Sequence, residues 1–374
     1  MYFSLPSSTF ADITAAARLV ICPRTSLPVL TGVHFHVDPS LPRLLTVGMT
    51  DLDIFLRKFH SLDEPAVPGT LLLPFDKLAA IRPDKNTHVV IHRRSVAAVA
   101  ITAICGGAPA VHHLNLLDAD SYPGPPTVDD QCFSSTELPP ETLAAIAFAR
   151  PFQSSDVTRY VLNATLLHPG GVVATDGRRL AMFLVPGPPI PVILPTKTCD
   201  ILIKLKAKNV TLFLPLDDPA VATFRIGSDA ILHSKLIGGN YPNFRQVIPP
   251  ASSRRLTFAD PVPVIRFLRR LTTADRRHAV TITPLPNSRL ELSHAEATLI
   301  TPAVCTEDMG QVSCNPSYLA DCLESVGATF SQEPGPHYPP LHFSAPNALA
   351  VLMPFRIAAD EPVAEEPVAA ADAA

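Results

Sequence analysis

Tryptophan is absent from this 374-residue sequence, and several informative patterns are absent as well. No Cys-x-x-Cys pair occurs among the seven cysteines, which predicts reduced core thiols in a cytoplasmic protein rather than a zinc site or a disulfide scaffold. The sequence contains no run of about 18 apolar residues, so no membrane span is predicted. The N-terminus also lacks the basic start and the apolar block of a signal peptide. The phosphate-loop, dinucleotide, zinc-protease and serine-hydrolase motifs are also missing, which argues against common enzyme classes.

Charge is sparse and nearly balanced. Only 17% of the residues are charged and 47% are hydrophobic, so the chain is predicted to fold. The net charge of -4 excludes a protein coated in positive charge, but nucleic acid can still bind where basic residues cluster. The length predicts two or three domains. The 41 prolines between short apolar runs favour a strand-rich architecture.

The sequence repeats one plan three times. LPSSTFADITAAA from Leu5 aligns with LPPETLAAIAFAR from Leu138, 133 residues later, and a weaker third copy begins at Ala259. All three are predicted helices with apolar residues at helical spacing. Segments 27–36 and 159–168 alternate like strands.

A second helix in each copy is predicted to begin at a proline. Proline is tolerated there because the N–H groups of the first turn have no partner within the helix. Pro74, Pro195 and Pro316 are each separated by 121 residues. The copies therefore predict an α+β fold of strand, helix, strands, helix and strands. Predicted boundaries follow turn-rich stretches and are residues 1–126, 127–250 and 251–357, with a disordered acidic tail at 358–374.

The stretch VVATDGRRLAMF, residues 172–183, admits three interpretations: a catalytic carboxylate at Asp176, a tight turn, or a gripping surface. The first copy carries a matching Thr50-Asp51, which favours a turn. A catalytic pair of Asp51 and Asp176 is disfavoured because the repeat assigns them to different domains. His112 and His113 are adjacent, so on a strand they point to opposite faces and make poor metal co-ligands.

Together with the triplicated unit, ATDGRRLA, SKLIGGNYPNFRQVIP and the ending VLMPFR resemble the bacterial DNA polymerase III beta subunit, the beta sliding clamp family. The resemblance covers residues 1 to about 357. It implies three repeated clamp domains, each with antiparallel sheets outside and two helices inside, in a ring formed by a head-to-tail homodimer. It also implies sequence-independent binding of double-stranded DNA, no active site, no metal and no cofactor. Partners implied by the resemblance are the replicative polymerase, the clamp loader and repair proteins, which bind through short linear peptides.

A clamp that slides must attract phosphates without reading bases, so it needs positive charge on the surface facing DNA. Predicted helices carry such residues. By their charge or by the resemblance, the predicted DNA contacts are Arg24, Lys197, Lys204, Arg266, Arg269 and Arg270.

The resemblance also implies a hydrophobic pocket for partner peptides. Apolar walls suit anchor side chains, while Arg and Asn suit the polar groups of a peptide. The matching residues are Leu162, Thr175, Gly177, Arg178, Arg179, Leu180, Pro242, Val247, Asn315, Tyr318, Val351, Met353, Pro354, Phe355 and Arg356. An alternative remains open: an accessory or degenerate clamp that binds partner peptides but loads poorly on DNA.

Overall fold

The computed structural model describes residues 1–126, 133–206, 209–216, 220–250, 252–274, 279–295, 297–307, 309–334 and 339–355. Within these ranges one order of elements occurs three times: a strand, a helix, four strands, a helix and three strands. The first copy comprises β1 Tyr2–Pro6, α1 Ser7–Val20, β2 Gly32–Val37, β3 Leu44–Thr50, β4 Ile54–Ser61, β5 Gly69–Pro74, α2 Phe75–Ala80, β6 His88–Arg93, β7 Ala98–Cys105 and β8 Ala108–Asn115. The second comprises β9 Phe133–Leu138, α3 Glu141–Ala149, β10 Ala164–His168, β11 Gly171–Thr175, β12 Arg179–Phe183, β13 Val192–Pro195, α4 Thr196–Leu205, β14 Val210–Pro215, β15 Val221–Ile226 and β16 Ala230–Lys235. The third comprises β17 Arg255–Phe258, α5 Pro261–Ala274, β18 Val280–Leu285, β19 Arg289–His294, β20 Ala297–Cys305, β21 Val312–Cys314, α6 Pro316–Ser325, β22 Thr329–Ser331, β23 Leu341–Ala345 and β24 Ala348–Leu352. The α+β class and the repeated plan are confirmed.

Proline marks the start of the second helix in each copy, as predicted. Pro74 and Pro195 immediately precede α2 and α4, and Pro316 is the first residue of α6. A proline at a helix start sacrifices no intrahelical hydrogen bond, because the first N–H groups have no partner within the helix. The same residue type therefore ends a strand and begins a helix at both Pro74 and Pro195.

The strand prediction was wrong for the first half of two segments. Pro28–Thr31 and Val157–Leu162 are 3-10 helices, and only the residues after them form β2 and β10. Pro28 has no N–H to give to a strand ladder. In the second copy the Asp156 side chain accepts a hydrogen bond from the Thr158 N–H at 3.0 Å and caps the turn.

The first of two compact units contains Met1–Asp176 and Met182–Pro242. Its strands pair antiparallel in the orders β1-β6-β7-β8, β5-β2-β3-β4-β16-β15-β14-β9 and β13-β10-β11. Helix α1 packs against α2 and α4. Because β4 pairs with β16, one sheet continues from the first copy into the second, and the predicted boundary at 126/127 lies within this unit.

The second unit contains Gly177–Ala181 and the residues after Pro242. Its strand order is β12-β24-β23-β22-β17-β20-β19-β18-β21. Only the first three residues of β12 belong to this unit. Phe258, Phe330 and Phe343 are buried at its core, with ring centroids 6.3 Å and 5.2 Å apart in succession. Helix α5 packs against α6. The division into domains 1–126, 127–250 and 251–357 stays a prediction, and the tail at 358–374 lies outside the described residues.

The described cysteines are free thiols, with Cys199, Cys314 and Cys322 buried and Cys22 exposed. None of the helices within the described ranges is long and apolar enough to cross a membrane.

Candidate functional site

After the turn that follows β11, residues 177–180 belong to the second unit and lie beside strand β24. Gly177 has a φ of 85°, a conformation that glycine adopts without strain. The Arg178 carbonyl accepts a hydrogen bond from the Met353 N–H at 2.9 Å, and β12 lies next to β24 in the strand order. Two neighbouring strands therefore bring together five predicted site residues, of which the first and last lie just outside the strands: Arg178, Arg179, Leu180, Val351 and Met353.

Arg179 is the most tightly held of these residues. Its side chain is 8% exposed and forms an ion pair with Asp321, which is 12% exposed. The guanidinium carbon lies 4.1 Å from the centroid of the Tyr318 ring, within the range of a cation–π contact. A buried guanidinium requires such partners, because an uncompensated charge is costly to remove from water.

Helix α6 supplies Tyr318 and is anchored at its start. The Asn315 side chain accepts hydrogen bonds from the N–H groups of Ser317 at 2.9 Å and Tyr318 at 3.2 Å. This N-cap satisfies N–H groups that lack partners within the helix. The Phe355 N–H donates to the Ser313 carbonyl at 2.7 Å, which ties the chain after β24 to the strand that leads into α6.

The apolar residues predicted for the pocket divide into two groups. Val247, Met353 and Phe355 are 50%, 43% and 36% exposed, so their side chains are open to a ligand. Leu180 and Val351 are both 2% exposed and belong to the core of the unit, where they support the surface. Pro354 is partly exposed, and Arg356 lies outside the described residues.

Leu162, Thr175 and Pro242 lie in the first unit. Leu162 ends the 3-10 helix and is partly buried, whereas Pro242 is exposed. Thr175 is buried, and its N–H donates to the Tyr241 hydroxyl at 3.1 Å. Burial raises the pKa of Tyr241, so this hydroxyl stays protonated.

The Thr-Asp pair of the first copy forms a turn, as predicted. The Asp51 carboxylate accepts hydrogen bonds from the N–H groups of Asp53 and Ile54, at 3.1 Å and 2.8 Å. Asp51 also binds Lys197, whose ammonium donates to the Val20 carbonyl at 2.6 Å. Lys197 therefore ties the start of α4 to the end of α1 and to the β3–β4 turn, a role that the sequence alone did not indicate.

The other predicted DNA contacts differ in their surroundings. Arg24 and Lys204 are exposed in the first unit, and Arg266 and Arg270 are exposed on α5. Arg269 forms ion pairs with Asp321 and Glu324 of α6, and its Nη2 lies 2.6 Å from the Glu324 carboxylate. The hydrogen bond to Glu324, followed by the one to Asp321, raises the pKa of Arg269. The guanidinium therefore stays protonated, and its charge is offset by the two carboxylates.

Sequence reasoning missed Asp321 and Glu324. Their spacing of three residues places both carboxylates on one face of α6. That spacing was readable from the sequence, but the cations facing them come from distant segments, so only the packing of α5 against α6 reveals the network.

No family model matches the chain. Similar proteins include the beta sliding clamp of Haemophilus influenzae, which is 25% identical over 348 residues covering 87% of this chain and 90% of that protein. Among solved structures, the Bartonella birtlesii sliding clamp bound to griselimycin is 22% identical, with a TM-score of 0.79 over 96% of this chain and all of that one. The DNA polymerase sliding clamp of Caulobacter crescentus is 23% identical, with a TM-score of 0.77 over the same shares of the two chains.

Proposed function

The chain belongs to the beta sliding clamp family, and from that premise we propose that it is a DNA sliding clamp. Such a processivity factor encircles duplex DNA and tethers a replicative polymerase to it. The observation that carries the proposal is the threefold element order, which extends through the chain as the fold of the solved clamps does. The role is a binding role without catalysis. The relatives are named simply as beta sliding clamps, so nothing favours an accessory clamp.

Exposed cations on helices support contact with DNA. Lys204 lies near the end of α4, and Arg266 and Arg270 lie one helical turn apart on α5. Lysine and arginine side chains neutralise phosphates regardless of base sequence. With a net charge of -4, the remaining surface does not attract DNA indiscriminately.

Exposed apolar residues of the second unit support binding of partner peptides. Val247, Met353 and Phe355 offer exposed side chains that can bury peptide anchors, and burial of such anchors dominates interface energies. The polymerase, the clamp loader and repair proteins are the proposed partners, each through a short linear peptide. All the pocket residues, Leu162, Thr175, Pro242 and Arg356 included, remain predictions from the resemblance.

Two strand edges support a head-to-tail homodimer. Strand β8 is the last strand of its sheet in the first unit, and its Val111 is 52% exposed. In the second unit Ala297–Pro302 of β20 pair with β19, while β17 pairs only with residues 303–305. Unpaired strand edges bind other strands readily. When two different edges of one chain bind each other in successive copies, the interface is heterologous. Such an interface forms a closed ring if the rotation between neighbouring subunits returns to the first subunit.

Processive synthesis on circular primed DNA tests the proposal. With clamp loader and polymerase from the same cell, the wild-type protein should lengthen the product of each binding event. The double variant Met353→Ala, Phe355→Ala should lose this stimulation because the polymerase peptide loses its apolar contacts. Val96→Ala is the matched control, since Val96 is 85% exposed and lies in the β6–β7 turn. A correctly dimeric wild-type protein that gives no stimulation would sink the proposal.

A further inference from the structure

Two arginines lie on one face of the sheet that continues from the first copy into the second. Arg57 of β4 pairs with Ile231 of β16, and Ile231 pairs with Arg225 of β15. Cross-strand partners share a face, so the two arginines flank the isoleucine. Neighbouring strands lie about 4.8 Å apart, which places the Cα atoms of the two arginines about 10 Å from each other.

This face of the sheet points away from helix α1. The Lys58 ammonium forms an ion pair with Asp12 of α1, so the side chain of Lys58 points toward the helix. Successive side chains of a strand point to opposite faces, and Arg57 therefore points away from α1. Helix α4, which carries Lys197 and Lys204, packs against α1. A ligand at Arg57 therefore does not compete for the cations of α4 that are proposed to contact DNA.

Arg57 is a half-buried cation without a counter-ion. Its Nε is buried and has no hydrogen-bond partner, and no carboxylate of the described ranges forms an ion pair with it. Burial lowers the pKa of Arg57, and no carboxylate offsets this effect. Removal of a charge from water without a partner is unfavourable, so an incoming carboxylate gains more here than at a fully exposed arginine.

Arg225 is exposed, but its side chain is restrained. The guanidinium carbon lies 5.2 Å from the centroid of the Phe213 ring, within the range of a cation–π contact. Ile231, between the two arginines, is partly exposed. The three side chains therefore present two positive charges on either side of an aliphatic group.

The nearest carboxylates by strand register do not neutralise this pair. Glu137 and Arg225 are both paired to Thr211, so they lie on the same face, two strands apart. Asp229 stands in the turn between β15 and β16. Within the part of the chain that the structure describes, neither carboxylate forms an ion pair with Arg57 or Arg225. Both positive charges are therefore available to a ligand.

We propose that Arg57, Ile231 and Arg225 form a docking site for an acidic linear segment of a partner protein. Two carboxylates of the segment bind the guanidinium groups, and an apolar side chain between them packs on Ile231. An extended segment presents every second residue on one face, so acid, apolar and acid at alternate positions complement cation, apolar and cation. Nucleic acid is a poorer match, because its binding surfaces neutralise many phosphates and this site offers two cations around an isoleucine.

Fluorescence polarisation at low ionic strength tests the site with two blocked, labelled peptides, Glu-Ser-Leu-Ser-Glu and Gln-Ser-Leu-Ser-Gln. The full chain should bind the Glu peptide at least about 10-fold more tightly than the Gln peptide. Arg57→Gln should reduce this preference to about twofold, and Arg225→Gln to about fourfold. Arg94→Gln, exposed in the β6–β7 turn, is the matched control and should keep the wild-type preference. Equal binding of the two peptides by the wild type, or a wild-type preference in Arg57→Gln, would overturn the proposal.

Thermal unfolding separates a docking role of Arg57 from a structural one. Because this cation lacks a counter-ion, Arg57→Gln should unfold at the wild-type temperature or above it. A lower unfolding temperature with an unchanged peptide preference would assign Arg57 to the fold and overturn the docking role.

A single-stranded oligonucleotide, titrated in parallel, tests the alternative ligand. If it binds through Arg57 and the Glu peptide does not bind, the site belongs to nucleic acid and the proposal is wrong. The variants change no residue proposed for DNA contact or for the peptide pocket. Failure of the docking site therefore leaves the proposed clamp function standing, and the processive-synthesis experiment tests that function separately.

Discussion

At the scale of single residues, Lys197 illustrates how one side chain can satisfy several groups. Its ammonium binds the Val20 carbonyl at the end of α1 and the Asp51 carboxylate in the β3–β4 turn. The carbonyls in the last turn of a helix lack intrahelical partners, and a cation there also opposes the negative end of the helix dipole. Lys197 was predicted to contact DNA, and this prediction stays untested. The contacts assign it a bracing role within the first unit.

Replacing Lys197 with Gln should therefore lower the free energy of unfolding by about 1–2 kcal/mol, because a partly buried carboxylate and a helix-end carbonyl lose their cation. Urea denaturation measures the change. Lys204→Gln, on the same helix but exposed, should stay within about 0.5 kcal/mol of the wild type. Equal stability of the two variants would show that the brace contributes nothing.

Two histidines, the half-buried His34 and the buried His233, predict a pH dependence of stability. Burial lowers the pKa of His34 to about 4, with a smaller contribution from His36, and burial likewise lowers the pKa of His233 to about 4, assisted by Arg57. Both values lie below the ordinary value of 6.5, so the unfolded chain binds more protons than the folded chain between these pH values. Stability is fully present above pH 6.5 and falls as the pH drops toward 4.

Between pH 7 and pH 5 the free energy of unfolding should fall by about 1 kcal/mol for each of these histidines, after allowance for their residual solvent contact. Urea titrations at several pH values measure the slope. His233→Gln should flatten it, whereas His113→Gln, at an exposed position on β8, should leave it unchanged. A His233→Gln protein with the wild-type slope would refute this assignment.

At the scale of elements, the repeat could be predicted because proline and helical spacing are local signals. Pro74, Pro195 and Pro316 marked the second helices correctly. The 3-10 helices were missed because segments 27–36 and 159–168 were each interpreted as one continuous strand, although Pro28 lacks an N–H. The sequence also identified candidate site residues but not their burial. Leu180 is buried and Met353 is exposed because of packing between strands that are distant in the sequence.

The proposed joint between copies gives a prediction for strand β8. Val111→Asp should weaken the dimer at least about 10-fold, because a charge on an edge strand opposes addition of another strand. Ile300→Asp on β20, where Ile300 is 54% exposed, should have the same effect from the other edge. Val96→Asp, in the β6–β7 turn, should leave the dimer intact. Sedimentation equilibrium measures all three, and an unaffected Val111→Asp dimer would exclude this edge as the interface.

At the scale of the whole molecule, the central claim is that the protein holds DNA by encircling it and not by affinity alone. The charge supports this view. A net charge of -4, with exposed cations on particular helices, suits weak contacts that permit sliding. Tight electrostatic binding would require a more basic surface and would slow such movement.

Retention on circular DNA tests that claim most directly. The protein is loaded by its clamp loader onto nicked circular duplex, passed through gel filtration at high salt, and assayed again after the circle is cut once. Because salt removes electrostatic binding but cannot open a closed ring, the protein should stay with the circle and leave the linear duplex. Equal release from circular and linear DNA would contradict the account.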